Sequence, residues 1–242
     1  MREKLKLGLL IFTGLIMVNI VYPQKAIPLE IISTAQQAGD TSINLLQYAM
    51  YKKLPRGYEK ETLEALSHFP ELKNVSVRFK IKKSFSTLKT RPAFLSMFMP
   101  KGHRSYVITI SNKSIQKLMP LMFANLTTEA RVGVIGHELS HVVDLYGKNT
   151  WQCFKVFAGH LSAHYLDHFE YNTDMICIKH GLGKDLEAWS SYIRNTMHTS
   201  FWRGAGYVNK GDDKHERYMN PSTIEKTISN TGTTSQPGKF VK

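Results

Sequence analysis

The residues with the plainest chemical content are His137, Glu138 and His141, which stand in the stretch Val134-Ile135-Gly136-His137-Glu138-Leu139-Ser140-His141. Apolar residues recur at helical spacing on both sides of them. Residues four apart on a helix lie one turn along a single face, so the two imidazoles can grip one metal ion. Glu138 sits one position on, close enough to take a proton from water at that ion. A divalent cation held in this way lowers the pKa of water, and a neighbouring carboxylate completes the acid–base couple. The pentad H-E-x-x-H also arises by chance, so its surroundings decide what it is worth.

A catalytic ion of this kind needs a third protein ligand and one open position. Downstream, His168 to Ile178 reads as a helix with a glycine stop at Gly181. Glu170 and Asp174 are four apart and share a face of it. Glu170 offers a carboxylate ligand, and Asp174 can accept the free N–H of a ligand histidine and fix its tautomer. His160, His164 and His168 fall at successive fours and offer a rival ligand or a second metal site. Glu170 is preferred because it alone brings a matching aspartate.

H-E-x-x-H followed on a later helix by E-x-x-x-D resembles the gluzincins. Glu170-Tyr171-Asn172-Thr173-Asp174 is similar to the third-ligand segment of the CAAX-prenyl-endopeptidase-like membrane and envelope peptidases. The likeness covers residues 130 to 180, and the short separation of His141 from Glu170 is closer to compact gluzincins. It implies a zincin-like α+β fold, with helices packed on a small mixed sheet and the zinc site between two helices. It also implies one Zn2+ per chain held by His137, His141 and Glu170, with Glu138 as general base and Asp174 orienting a histidine. In the resembled family a polar segment before the last helix approaches the active site. By that analogy Arg217, Tyr218 or His215 would stabilise the oxyanion. The activity implied is peptide-bond hydrolysis on a protein or peptide substrate. Two other readings stand beside it. One is a catalytically inactive zinc-containing binding or scaffold protein of the envelope; the other is a membrane-associated basic module in which the pentad is coincidental.

The elements that must position these residues follow from periodicity. Residues 29–53 carry an imperfect helical stripe that Pro55-Arg56-Gly57 breaks, and Tyr58 to Phe69 forms a second short helix stopped by Pro70. The period then falls to two. Val75, Val77, Phe79 and Ile81 alternate with Ser76, Arg78, Lys80 and Lys82, a half-buried strand with a cationic outer face. Ala93 to Met99 is a candidate strand, and Ser105 to Ser111 alternates again. As the nearest strand before the metal helix, Ser105 to Ser111 is the candidate edge for holding extended substrate, with an interior position the equal alternative. Thr127 or Thr128 caps the metal helix and Gly147 ends it. Gly133 and Gly136 each cost about 1 kcal/mol relative to Ala, which is reasonable where another backbone packs tightly beside His137. Lys184 to Phe201 is amphipathic, Gly204 to Asp213 is loop, and Asn220-Pro221 starts a last helix.

The chain has 242 residues, 42% of them hydrophobic, which suits one domain with a packed core. Residues 27–230 form that domain in this reading, followed by a loose tail over 231–242. Arg2, Lys4 and Lys6 precede an apolar run from Leu7 to Tyr22, a signal peptide or membrane anchor over residues 1–26 that exports the rest. The protein is then secreted, periplasmic or anchored facing outward. Residues 52 to 117 hold fifteen Lys and Arg against four Glu, and so carry most of the net charge of +13. An anionic membrane surface, an acidic protein substrate or a solvated basic face each suits that charge. No nucleic-acid motif accompanies it, so no nucleic-acid partner is expected. Cys153 and Cys177 form no C-x-x-C, and one disulfide between them is left open.

Overall fold

The structure, a computed structural model, describes residues 45–208 and 216–232. The leader, most of the 29–53 stretch, His215 and most of the tail lie outside the described residues.

Four strands form one mixed sheet in the order β1-β2-β4-β3, where β1 is Lys52–Lys53, β2 Ser76–Lys82, β3 Leu88–Pro92 and β4 Ser105–Ser111. β2 runs parallel to both β1 and β4, with Val77 opposite Tyr106. β3 runs antiparallel to β4, with Thr90 opposite Ile108. On β2, Val77 and Phe79 are buried while Arg78, Lys80 and Lys82 are exposed, as period-two patterning requires. β4 is buried at almost every position, the pattern of a strand covered on both faces.

Two expectations do not hold, and one open alternative is decided. The end of the 29–53 stretch is not helical, because Lys52–Lys53 pairs as a strand with β2. Lys52 is fixed there by its ammonium, which donates to the carbonyls of Leu72, Lys73 and Val75. Ala93 to Met99 is not a strand, because Leu95–Phe98 winds into a 3-10 turn. The strand lies just before it, in Leu88–Pro92, where the polar sequence Leu-Lys-Thr-Arg-Pro hides the alternation. Ser105 to Ser111 is the interior strand of the two alternatives, and among the described residues β3 is the edge strand beside it.

Helix α1 (Glu59–Ser67) precedes β2. After β4 come α2 (Thr128–Gly147), α3 (Thr150–Gly159), α4 (Ala163–Cys177), α5 (Gly183–Met197) and α6 (Pro221–Thr231). Helix α2 carries the pentad and runs through the middle of the molecule, so it is buried nearly all round. Thr127 caps it, its side chain accepting from the Ala130 N–H at 3.2 Å. Helix α2 packs against α1, against the sheet through β3, and against α4 and α5. Phe69, Leu72, Ile108, Ile135, Leu139 and Leu182 are buried in the core.

The close approach that the two α2 glycines suggest is present. A Cβ on Gly133 would stand 2.1 Å from the Asp185 carbonyl oxygen of α5, and one on Gly136 would stand 2.4 Å from Leu182 Cδ1. Between α4 and α5 the chain passes through a π-helical segment, Ile178–Leu182, in which Gly181 has φ of +83°. That left-handed residue turns the chain so that α5 returns along α2. Asn220 caps α6 through Thr223 N–H, with Pro221 at its first position. Among the described residues no helix is long and apolar enough to cross a membrane.

Candidate metal centre

Two helices supply the centre. From α2 come His137 and His141, whose rings stand at 87° with centroids 4.8 Å apart. From α4 comes Glu170, whose Oε2 lies 3.1 Å from His137 Nε2 and 3.2 Å from His141 Nε2. All three candidate ligand atoms fall within 4.8 Å of one another. Two nitrogens and a carboxylate oxygen are the donor set of a catalytic zinc. Ligands at the usual bond lengths of about 2.0–2.1 Å around a tetrahedral ion stand roughly 3.3 Å apart, and the two carboxylate-to-imidazole spacings match that. Among the described residues no other group of three His, Cys, Asp or Glu converges in this way.

Each imidazole is aimed by a partner on its far side. Asp174 Oδ1 lies 2.8 Å from His137 Nδ1, and Thr173 Oγ1 lies 3.2 Å from His141 Nδ1. The Thr173 hydroxyl donates to the Phe169 carbonyl at 2.9 Å, which leaves its oxygen to accept from His141. With both Nδ1 atoms donating outward, both Nε2 atoms face Glu170, and it is these nitrogens that would bind an ion once deprotonated. Residues 170, 173 and 174 lie on one face of α4 by helical geometry, which is why one helix supplies a candidate ligand and both orienting groups. Trp189 of α5 lies 5.4 Å from the His137 ring, and Phe169 stacks on His141 at 5.0 Å.

The electrostatics follow from burial and these pairings. Burial disfavours the charged form of His137, but Asp174 and Glu170 outweigh it and hold its pKa above the ordinary value. Burial alone would raise Glu170, yet His141 and His137 hold its carboxyl well below the usual range. Glu138 differs. Burial pushes its carboxyl up, against the weaker pull of His141, His137 and a hydrogen bond from Thr90. That bond is short: Thr90 Oγ1 donates to Glu138 Oε2 at 2.6 Å, from the edge strand β3. The two carboxyls of the site are thus shifted in opposite directions, Glu170 down and Glu138 up.

Asp174 does a second job. Its Oδ2 accepts the Met219 N–H at 2.8 Å, so the same carboxylate that aims His137 also anchors the segment before α6. Helix α5 completes the anchor. Ser190 Oγ donates to the Met219 carbonyl at 2.7 Å, and Arg194 Nη2 donates to the Tyr218 carbonyl at 2.9 Å. Tyr218 is thereby set with its ring 5.6 Å from His137 and 5.8 Å from Trp189. Burial, Glu170 and Glu138 push its phenol well above its ordinary pKa, so it stays a proton donor. Arg217 donates from Nε to Asp167 Oδ1 at 2.7 Å and from Nη1 to the Arg203 carbonyl at 3.2 Å. His215 lies outside the described residues.

The rival histidines stay apart from the centre. His160 Nδ1 bonds to the Val156 carbonyl at 2.7 Å, and His164 and His168 pair with each other on the exposed face of α4. Both cysteines are buried and free. Cys153 lies under the Arg104 guanidinium, and a Cβ on Gly136 would stand 3.1 Å from Cys177 Sγ. Thr90, Thr173 and Trp189 are the residues around the centre that the sequence does not announce. The threonine beside Asp174 in a ligand-bearing helix is the one signal that points to any of them. No protein-family model, curated protein or solved structure matches the chain.

Proposed function

We propose that the protein is an exported zinc-dependent metalloendopeptidase of gluzincin type. The observation that carries this reading is the convergence of His137 Nε2, His141 Nε2 and Glu170 Oε2, with Glu138 one residue from a ligand and raised in pKa by burial. Zinc, when bound there, supplies the Lewis acidity that polarises a carbonyl and acidifies water. Glu138 takes the proton from the attacking water and passes it to the leaving amine. Thr90 fixes one oxygen of that carboxylate, leaving the other to face the reacting atoms. Tyr218 offers its hydroxyl to the developing oxyanion.

The edge strand supplies the docking rail. Thr87 and Ala93 exchange backbone hydrogen bonds with β4, so by the parity of an antiparallel ladder Thr90 turns its own N–H and C=O to the open edge. A substrate in extended form can pair there, with its backbone beside the carboxylate that Thr90 holds. The leader of Arg2, Lys4, Lys6 and the apolar Leu7–Tyr22 run supports export.

The test is cleavage of an unfolded protein by wild type and by Glu138→Gln, with zinc content measured on both. Loss of turnover by about 10²–10⁴-fold at unchanged zinc content is expected. Full turnover by Glu138→Gln would refute the mechanism.

A further inference from the structure

Among the described residues an apolar face lies uncovered beside the sheet, in the turn between β3 and β4 and on helix α3. Phe94, Leu95 and Phe98 of the turn are 71%, 78% and 61% exposed. Trp151 of α3 is 68% exposed, and Leu161 just beyond it is 92% exposed. The two segments form one surface, since Phe98 and Phe154 face each other with ring centroids 6.1 Å apart. Helix α3 buries Cys153 and Val156 against the body yet presents Trp151 and Phe154 outward, so it is apolar on both sides. A helix at the rim of a domain ordinarily turns a polar face outward.

The face is held rigidly. Arg104, buried at the start of β4, donates from Nε to the Met99 carbonyl at 3.1 Å. Its Nη1 donates to the Lys148 carbonyl at 2.7 Å and its Nη2 to Thr150 Oγ1 at 3.0 Å. One guanidinium thereby locks the turn to the first residues of α3. Asn149 and Gln152 close a capping box on the same helix end.

Charge is distributed around this face with one sign. No Asp or Glu occurs in residues 72–128, which hold eleven Lys and Arg, and none occurs in residues 145–166. Lys89, Arg91, Lys101 and Lys155 are exposed around the apolar residues, and the Lys155 ammonium lies 5.9 Å from the Trp151 ring centre. We infer that this face docks the protein on an anionic lipid bilayer, with the aromatic and leucine side chains in the interfacial layer and the cations on the headgroups. Aromatic rings favour that layer, and apolar insertion with Lys and Arg on anionic lipid is the general mode of peripheral binding. A second copy across a two-fold axis would set one cationic rim against another. An acidic peptide would neutralise the rim but leave the protruding apolar groups in water. Thr90 is four residues from Phe94, at most about 14 Å of chain, so the β3 edge runs into the docked face.

The test uses the full chain and vesicles of phosphatidylcholine with or without phosphatidylglycerol. Trp189 and Trp202 are buried, so Trp151 is the tryptophan that responds. Anionic vesicles are expected to blue-shift its emission, and doxyl-labelled lipid to quench it; Trp151→Phe should abolish both signals. Leu95→Glu with Phe98→Glu should weaken the quenching by about tenfold or more in apparent affinity, and salt should weaken it further. Three results would overturn the inference. Trp151 could remain unquenched while the chain co-sediments with vesicles, which would assign binding to the N-terminal segment alone. Quenching could be equal on neutral and anionic vesicles. The face could also close a dimer that Leu95→Glu dissociates. None of these readouts depends on hydrolysis.

Discussion

His137–His141 and His164–His168 are the same local object in two settings. Each is a pair of histidines four apart on a helix. Their ring centroids stand 4.8 and 4.5 Å apart, at 87° and 90°. The first pair is buried, each Nδ1 has an oxygen partner from α4, and a carboxylate oxygen lies within 3.2 Å of both Nε2 atoms. The second pair is exposed and joins no cluster of three among the described residues. Spacing along a helix therefore brings two imidazoles together but does not make a metal centre. What separates the pairs is the neighbouring helix, which aims the rings, adds the third donor and excludes water.

The comparison sharpens first at Asp174. Asp174→Asn leaves every candidate ligand in place but removes the negative charge behind His137 and leaves one carbonyl oxygen to serve two donors, His137 Nδ1 and the Met219 N–H. Zinc affinity is expected to fall by about 10–100-fold, measured by competition with a chromophoric chelator. Unchanged affinity would mean that aiming contributes nothing and that the ligands alone distinguish the two pairs.

The second prediction concerns what backs each pair. A Cβ on Gly133 meets backbone of α5 at 2.1 Å, whereas a Cβ on Gly159, near the exposed pair, meets the Tyr165 ring at 2.5 Å. Backbone cannot swing away and a partly exposed ring can. Gly133→Ala is expected to destabilise by about 1–3 kcal/mol, seen as a lower Tm, with Gly159→Ala costing less. Equal shifts would show that α2 is not tightly held against α5.

The smallest effects come last. Thr173→Val removes one neutral hydrogen bond to His141, and about a fivefold loss in zinc affinity is expected by the same competition assay. His164→Ala with His168→Ala should change it not at all, and any loss would bring the exposed pair into the centre.

Much of the centre is legible in the sequence, for a physical reason. His137, His141, Glu170 and Asp174 are set by helical spacing on two helices, and a helix places residues four apart on one face whatever surrounds it. Gly133 and Gly136 announce a close neighbour because a helix does not tolerate two glycines in its middle without cost. Asn220-Pro221 marks its helix start through capping chemistry alone. The sheet was harder to read. Leu88–Pro92 lacks the apolar alternation of a strand because it lies at the edge, with Lys89 and Arg91 facing water and Thr90 turned toward Glu138. Ala93–Met99 has a strand-like apolar run for a different reason: Phe94, Leu95 and Phe98 are exposed rather than packed. Thr90 and Trp189 reach the centre through tertiary packing, which no local spacing encodes. Lys52 joins a strand because three distant carbonyls capture its ammonium.

Metal quantification on the purified chain tests the central claim most directly. Wild type is expected to carry one zinc per chain, Glu170→Ala to lose it, and Glu138→Gln and His164→Ala to keep it. Wild type without zinc under metal-replete conditions, or Glu170→Ala retaining one equivalent, would contradict the claim that α2 and α4 together enclose the ion.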